Sequence, residues 1–213
     1  MTYVIRPQLH LCRISGHVVG LDLQSSRYTL FRGAVAKRLG HFLAASATES
    51  EIDWLIDRGL VQDGDNERPW PCWPPPVPTA SIDFRSVRLV PPTLVARALL
   101  AQLRAKSTLS RRPLSLTLQE LDMAMRGARH TTLENCGVVA AAFHRAKRYL
   151  SETDQCLVRG IAMARLLARR GERIHLVVGV TLPFAAHCWI QAGTTVLTDD
   201  IDRVRAYSPI FAL

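Results

Sequence analysis

The chain has 213 residues, and 48% of them are aliphatic, aromatic or Cys, so it can bury a core and is not disordered by composition. Its net charge is +9, from 27 Lys and Arg against 18 Asp and Glu, which suits a basic solvated surface and says nothing about the fold. No apolar run approaches the ~20 residues of a membrane-spanning helix, and the N-terminal stretch lacks the apolar centre of a signal peptide. We therefore expect a cytoplasmic protein without a membrane span.

The first 65 residues are typical of a small sheet with helices. Short β-like segments joined by Gly, Asp and Ser turns predict an antiparallel meander over Tyr3–Ile14, Val18–Leu23 and Arg27–Phe31. Helical spacing of apolar residues predicts two helices, Gly33–Leu43 and Glu51–Arg58, the second capped by Thr48 or Ser50. Residues 1–65 are thus predicted to form a three-stranded, winged-helix-like domain.

A Pro-rich segment follows this domain. Six of the fourteen residues from Asn66 to Thr79 are Pro, a composition that forms neither a helix nor a central strand. We interpret residues 66–80 as an extended linker between two domains.

Residues 81–213 begin with helical patterns and end with strands. Four helices are predicted, the second opened by a capping box of Thr117 and Glu120: Thr93–Ala105, Leu118–Arg129, Glu134–Leu150 and Gln155–Arg170. Three strands follow, the last two joined by a Gly193-Thr194 turn: Ile174–Val180, His187–Ala192 and Thr195–Asp199. Helices followed by an antiparallel sheet predict the α+β class rather than α/β.

The five cysteines indicate neither a disulfide framework nor a zinc site, because their number is odd, their spacings are wide and no C-x-x-C occurs. Cys156 has a distinctive setting, since it follows a good helix N-cap, Asp154, by two residues. Backbone N–H groups and the dipole at a helix start stabilise a thiolate. Cys156 is therefore the candidate nucleophile, in contrast to the remaining residues Cys12, Cys72 and Cys136.

His187 is the candidate base, because a nucleophilic thiol needs a group that also protonates the leaving amine. A carboxylate on the neighbouring strand would orient the imidazole. Asp199 faces His187 if the hairpin turn has three residues, and Asp200 does so if it has two, so the pattern leaves both open. Cys188, next to His187, points to the opposite sheet face and is the weaker nucleophile candidate.

Two residues beside these are predicted to line the thiol cleft. Trp189 shares the strand face of His187, although a core aromatic would occupy the same position. Gln155 could reach an oxyanion with its side chain, although the Cys156 N–H is better aimed. No phosphate-binding loop, dinucleotide-binding pattern or metal motif is present in the sequence.

The order of Cys at a helix start, then His and Asp on neighbouring strands, resembles the transglutaminase-like, or papain-like, cysteine enzyme core. The runs C-L-V-R-G-I-A-M-A-R-L-L-A-R-R-G, H-L-V-V-G-V, P-F-A-A-H-C-W-I and V-L-T-D resemble, more narrowly, the B proteins of lasso peptide maturation. This resemblance implies a leader peptidase with Cys156 as nucleophile, His187 as base and Asp199, rather than Asp200, as the orienting acid.

The run H-V-V-G-L-D-L-Q-S-S-R-Y-T-L-F resembles the leader-recognition element of enzymes that modify ribosomally made peptides. The resemblance implies that a leader binds as an added strand beside the third strand and against a helix near Glu51–Arg58. The residues implied in leader binding are Arg27, Tyr28, Thr29, Leu30 and Phe31.

The resulting prediction is a cysteine endopeptidase of lasso peptide antibiotic biosynthesis. It would remove the leader and free the core N-terminus for macrolactam formation by an asparagine-synthetase-like partner. Hydrolysis would need no cofactor, and ATP would enter only through that cyclase. The alternatives are an acyltransferase of the transglutaminase type with the same triad and a non-enzymatic winged-helix protein that binds DNA, whereas the peptidase hypothesis predicts no nucleic-acid partner.

Overall fold

A computed structural model describes residues 2–64, 74–87, 89–128, 131–150 and 155–213 of the chain. Within these residues the fold is a mixed α+β arrangement, as the sequence predicts. We call residues 2–64 the front module and the described residues from 74 onward the rear module.

The front module is built on a three-stranded antiparallel sheet in the order β2-β3-β4. These strands are β2 (Leu9–Ile14), β3 (His17–Asp22) and β4 (Arg27–Phe31). Within the described residues β4 pairs only with β3, so its other side is a sheet edge. Two helices, α1 (Gly33–Leu43) and α2 (Glu49–Asp57), pack on the sheet around Val18, Leu39 and Leu55.

The predicted strand Tyr3–Ile14 is two strands. The chain turns after β1 (Tyr3–Ile5), which pairs with β5 (Val61–Asp63) instead of joining the three-stranded sheet. Gln8 adopts φ 68°, a left-handed conformation that breaks the extended run. The predicted cap of α2 is Thr48, whose hydroxyl accepts from the Glu51 N–H while the Glu51 carboxylate accepts from the Thr48 N–H.

The rear module contributes four longer helices: α3 (Pro92–Arg111), α4 (Leu114–Arg126), α5 (Leu133–Ala146) and α6 (Cys156–Ala168). A short 3-10 helix, Lys147–Tyr149, follows α5. The predicted capping box at Thr117 is wrong, because α4 begins at Leu114, four residues before the predicted start at Leu118, and its N-cap is Pro113. Thr117 lies inside the first turns, where its hydroxyl donates to the Pro113 carbonyl.

A five-stranded sheet in the order β10-β7-β8-β9-β6 forms the other half of the rear module. Its strands are β6 (Ala80–Ser81), β7 (His175–Thr181), β8 (Ala185–Ala192), β9 (Thr195–Val196) and β10 (Ser208–Ala212). The predicted third strand ends three residues early, at Val196. Strand β10 and the short helix α7 (Ile201–Arg205) were not predicted from the sequence.

The two modules share one apolar core. Leu21 and Leu23 of the front module are buried in the same cluster as Leu118 and Val178 of the rear module. The β2 and β3 strands pack against β10, and the His10 ring meets the Phe211 ring edge-on at 4.9 Å. The front sheet therefore lies directly on the rear module, close to the start of α6.

Several predictions fall on residues 65–73, 88, 129–130 and 151–154, which lie outside the described part of the chain. These include most of the Pro-rich linker, Cys72, and the proposed N-cap Asp154. None of the helices in the described ranges combines the length and the apolar character that crossing a bilayer requires.

Candidate active site

Cys156 is the first residue of α6, and this placement is the first element of the candidate site. Helix α6 lies against β8 because Gly160, one turn later, has no side chain at the contact. A Cβ added there would meet the Cys188 sulfur at 2.9 Å and would push the helix away from the strand. The close approach of helix and strand places the Cys156 sulfur beside His187 and Cys188 of β8.

The Cys156 thiol is poised to ionise. Burial alone would raise its pKa, but a hydrogen bond from His187, a backbone N–H from Cys188 and the charge of His187 outweigh burial, so the pKa is lowered. A further backbone N–H, from Leu157 in the first turn of α6, acts in the same direction. The thiolate is the reactive form of Cys, so this setting favours nucleophilic chemistry.

His187, on β8, packs against two aromatic rings. Its side chain is buried, with the Tyr207 ring centroid at 5.3 Å and the Trp189 ring centroid at 6.4 Å. Gly179 lies opposite His187 in the register of β7 and β8, and a Cβ there would overlap the Trp189 ring at 2.7 Å. The absence of a side chain at Gly179 thus makes room for the rings that fix the imidazole.

Asp199 is the carboxylate that reaches His187. Asp199 Oδ2 lies 3.1 Å from His187 Nε2, and both side chains are nearly inaccessible to solvent. The N–H is not aligned with the oxygen, so this contact is a close ion pair rather than a straight hydrogen bond. Looser hydrogen bonds of this kind are common in catalytic sites without substrate.

The hairpin geometry explains why the choice between Asp199 and Asp200 was open. The turn has two residues, since Ala192 pairs with Thr195, and an unbroken ladder would have placed Asp200 opposite His187. Instead β9 ends at Val196, and the Thr198 hydroxyl accepts from the Ile190 N–H across the bend. This bend carries Asp199 to the imidazole, and Asp200 stays exposed as the N-cap of α7.

The charges of the three groups support one another. Burial alone would lower the pKa of His187, but its close contacts with Asp199 and Cys156 and the negative charges of both raise it to about 9. Burial would raise the pKa of Asp199, yet His187, Thr198 and the Arg203 charge lower it. Arg203 reaches Asp199 Oδ1 at 3.4 Å from α7. The three shifts together favour the charged form of each group: a thiolate, an imidazolium and a carboxylate.

The other two predicted cleft residues lie next to this group. The Trp189 ring is buried beneath the sheet in a cluster with Val177 and Val204, and its Nε1–H donates to Gln191 Oε1 at 2.9 Å. Gln155 is largely buried as the N-cap of α6, without a side-chain bond to the helix.

The weaker nucleophile candidate, Cys188, is in a different environment from Cys156. It is buried behind β8, and burial together with the nearby negative charges raises its pKa well above the ordinary value. Burial likewise raises the pKa of Cys12. The described residues contain no cluster of three or more His, Cys, Asp or Glu that could hold a metal ion.

The predicted leader-binding strand β4 turns one residue toward this site. Tyr28 and Cys156 line the same small cavity, and burial, with the charges of Cys188 and Cys156, raises the Tyr28 pKa to about 12. The Tyr28 ring also contacts the Phe184 ring at 5.3 Å. Arg27 and Thr29 are exposed, whereas Leu30 and Phe31 are half-buried.

Sequence comparison assigns a family to this arrangement. A model of the transglutaminase-like superfamily matches residues 99–212, which include α6, the rear strands and the group formed by Cys156, His187 and Asp199. The chain therefore belongs to the transglutaminase-like superfamily, which includes cysteine peptidases and acyltransferases. Neither the curated proteins nor the solved structures searched contain a significant match to the chain.

Some residues of the site escaped sequence reasoning. Tyr207 lies beyond β9 in a stretch without strand alternation, so nothing in the pattern placed it on His187. Arg203 follows Asp199 by four residues, a helical spacing that would have linked the two had α7 been predicted. The approach of Tyr28 to Cys156 depends on how the two modules pack against each other. The Pro-rich segment between them contains no pattern from which that packing could be predicted.

Proposed function

We propose that this protein is a cysteine endopeptidase that removes the leader from a ribosomally made lasso precursor peptide. The observation that carries the proposal is the thiol of Cys156 at a helix start, within hydrogen-bonding reach of a His187 imidazole that is paired with buried Asp199. This arrangement supplies a nucleophile, an acid–base group and an orienting carboxylate. The residue roles rest on that geometry and on the chemistry of the side chains.

The proposed reaction has two steps. The Cys156 thiolate attacks the carbonyl carbon at the end of the leader and forms a C–S bond. The C–N bond then breaks as the His187 imidazolium gives its proton to the departing amine of the core peptide. Water next attacks the thioester carbonyl, and neutral His187 takes the proton from that water. The C–S bond then breaks, which regenerates the Cys156 thiolate and releases the leader as a free carboxylic acid. Backbone N–H groups at the start of α6 are the candidate donors to the oxyanion.

The front module is proposed to be a winged-helix-like leader-recognition domain. Its support is the edge of β4, which has no strand paired on that side within the described residues and offers backbone groups to an added strand. A groove of about 840 Å³ starts at Phe31, at the end of β4, and runs along α1 past Ala36 and Gly40. This groove adjoins α1, whereas the sequence resemblance implied a helix near Glu51–Arg58.

The biosynthetic partner is proposed from sequence resemblance and from chemistry. Cleavage yields a free α-amine at the start of the core, and ring closure onto an Asp or Glu side chain requires such an amine. An asparagine-synthetase-like cyclase that activates the carboxylate with ATP is therefore the expected consumer of the product. Residues 1–65, 66–80 and 81–213 are proposed as recognition domain, linker and peptidase.

The proposal is tested with purified protein and the precursor peptide expected to be encoded beside it. The reaction is followed by intact mass over time. Wild type should yield separate leader and core masses, and Cys156→Ala and His187→Ala should not. Cys136→Ala is the matched control, since it removes a buried thiol that lies beside Glu172, and it should cleave like wild type. Cleavage by Cys156→Ala would refute the triad assignment.

The same masses separate the two competing functions. An acyltransferase would add a supplied amine to the leader carboxyl in place of water, which gives a heavier leader product. A DNA-binding protein would be indifferent to Cys156→Ala, and its binding to a random duplex would fall steeply with salt. Hydrolysis of the precursor without amine incorporation is the result that supports the peptidase.

A further inference from the structure

A groove lined by arginines runs between α3 and α6, beyond the residues that the proposed reaction uses. Six of its arginines come from these two helices and from the end of α6: Arg97, Arg104 and Arg111, then Arg165, Arg169 and Arg170. The three on α3 recur every seven residues, which is about two helical turns, so they share one face of that helix. We call this surface the arginine groove.

The arginine groove has two parts that join. Between α3 and α6 it has a volume of about 440 Å³. Toward α4 it continues with a volume of about 590 Å³, and there Glu120 and Ala124 also line it. Arg165 and Arg169 border both parts, so the groove is continuous along α3.

We propose that the arginine groove is a docking site for an acidic amphipathic helix of a partner protein. The occupant is identified by its chemistry, which is a stripe of aliphatic side chains flanked by Asp and Glu. This inference goes beyond the proposed peptidase, because the reaction at Cys156 requires no surface on α3.

Most cations of the groove have no acid beside them. Arg112, at the end of α3, and Arg165 share Glu120, at 2.9 and 3.3 Å. The other five arginines are exposed, and none of them forms a salt bridge within the parts of the chain that the structure describes. The dipole at the end of α6 accounts for Arg169 and Arg170, but not for a row of arginines along α3. Like charges gathered along one groove favour a partner that supplies carboxylates.

The floor of the groove is aliphatic and requires more than charge from its occupant. Leu100 is 52% exposed and lies among the arginines together with Ala101, Ala162 and Leu166. A purely anionic partner would neutralise the cations and leave Leu100 in contact with water. An amphipathic helix covers both, because its apolar stripe lies on the floor while its acidic flanks reach the two rows of arginines.

Two other occupants fit the groove less well. A nucleic acid would find no aromatic side chain for base stacking among the described residues that line the groove, and Glu120 would repel its phosphates. A second copy of this chain carries the same net charge of +9, so the two copies repel each other. The charges therefore favour a foreign acidic protein.

The length and position of the groove also suit a helix. At 1.5 Å per residue, the row from Arg97 to Arg111 spans ~21 Å, about four turns of an occupant lying alongside. The nearest lining residue of α6, Ala162, lies ~9 Å along the helix from Cys156. A docked helix would thus lie beside the nucleophile without filling its cleft.

The test uses a designed fluorescent peptide of about 18 residues, with a Leu stripe at helical spacing, Glu on both flanks and Ala elsewhere. The comparison probes are a scrambled peptide of the same composition, the same peptide with Lys in place of Glu, and a random DNA duplex. Fluorescence anisotropy at about 0.15 M salt gives each Kd. Wild type should bind the designed peptide with a Kd of about 10 μM, and roughly tenfold more tightly than any comparison probe.

Two pairs of variants on α3 locate the binding surface. Arg104→Glu should weaken binding of the designed peptide roughly tenfold, whereas Lys106→Glu, an exposed cation outside the groove, should change it less than about twofold. Leu100→Ala should weaken binding roughly fivefold. Leu103→Ala is its matched control, because Leu103 is also 52% exposed and does not line the groove.

The proposal is overturned if the scrambled peptide binds as tightly as the designed one, or if Arg104→Glu and Lys106→Glu weaken binding equally, since either result would reflect net charge alone. Tighter binding of the duplex, lost in Arg104→Glu, would assign the groove to nucleic acid instead. Self-association in sedimentation velocity that Arg104→Glu abolishes would assign it to a second copy. Precursor cleavage by Arg104→Glu should match wild type, so failure of the docking site is distinguishable from failure of the peptidase.

Discussion

Two cysteines of this protein sit near the starts of neighbouring helices and differ in chemistry. Cys156 begins α6, and Cys136 lies one turn into α5. The Cys156 pKa is lowered, whereas burial and the Glu172 carboxylate raise the Cys136 pKa to about 12. The contrast shows that a helix start alone does not activate a thiol.

The difference arises from which anion occupies the helix start. At α5, the Glu172 carboxylate accepts from the Thr132 N–H at 2.7 Å and from the Asn135 amide at 3.1 Å. The Cys136 sulfur lies 3.9 Å from the same carboxylate, so a thiolate there would face a like charge. At α6 the thiolate is itself the anion, and the cation beside it is His187.

The largest effect is expected when the Cys156 thiol is removed and the Cys136 thiol is kept. Cys156→Ala should reduce precursor cleavage by about 10⁶-fold, to background, since removal of a nucleophile abolishes covalent catalysis. Intact mass measured over hours provides the readout. Cys136→Ala should cleave like wild type, and equal losses in both variants would mean that the two cysteines do not differ in function.

Asp199→Asn should have the next largest effect. Loss of the carboxylate charge lowers the His187 pKa from about 9, so less imidazolium faces Cys156 and the thiol pKa rises. Cleavage should fall by about 10⁴-fold. Iodoacetamide alkylation of Cys156 should titrate at higher pH than in wild type.

The pH profile of cleavage follows from the same coupled groups in the wild-type enzyme. Activity should decline as pH falls through the lowered Cys156 pKa, because the thiolate is protonated, and also as pH rises through about 9, because His187 loses the proton that the leaving amine needs. Cleavage activity that stays unchanged between pH 8 and 10.5 would contradict the expected decline at high pH.

Glu172→Gln examines the other helix start and should affect stability. Glu172 is almost fully buried, and it accepts a backbone N–H and an amide at the start of α5. Weakening these bonds should lower the free energy of unfolding by about 1–3 kcal/mol. Urea titration followed by circular dichroism measures this change. The rate of Cys156 alkylation should stay within twofold of wild type, and a large loss would link the two helix starts.

The smallest effect is expected from Arg203→Ala. Arg203 lies 3.4 Å from Asp199 but its side chain is 60% exposed, so solvent screens the pair. Its removal should raise the Asp199 pKa slightly and change cleavage by less than about threefold, as is typical of exposed ion pairs. A loss as large as that of Asp199→Asn would show that Arg203 positions the carboxylate.

Sequence reasoning reached the elements that local patterns encode. Helix α1 was predicted at its observed bounds because its apolar residues follow a clear helical period. The setting of Cys156 was inferred from position alone, without reference to tertiary contacts. Longer-range features were not predicted. Strand β10, for example, pairs with β7 across an intervening hairpin and a short helix.

The residues of the candidate site also fall into those that local patterns predict and those that depend on longer-range contacts. Cys156 and His187 could be nominated from their elements, but the acid could not, because the ladder register and the early end of β9 point to different residues. The walls of the small cavity beside Cys156, at Leu21, Leu23 and Tyr28, were beyond prediction. Their contact with the rear module is not encoded in any local period.

The shared wall of the cavity bears on how such enzymes can be re-engineered. Because Tyr28 of β4 lines the cavity beside Cys156, a chimera that exchanges the front module also changes the surroundings of the nucleophile. Natural variants are expected to change Tyr28 and its opposing rear residues, such as Ala186, in concert. Transplanting the front module together with Leu114 and Leu118, which line the same cavity, would keep the walls of that cavity matched.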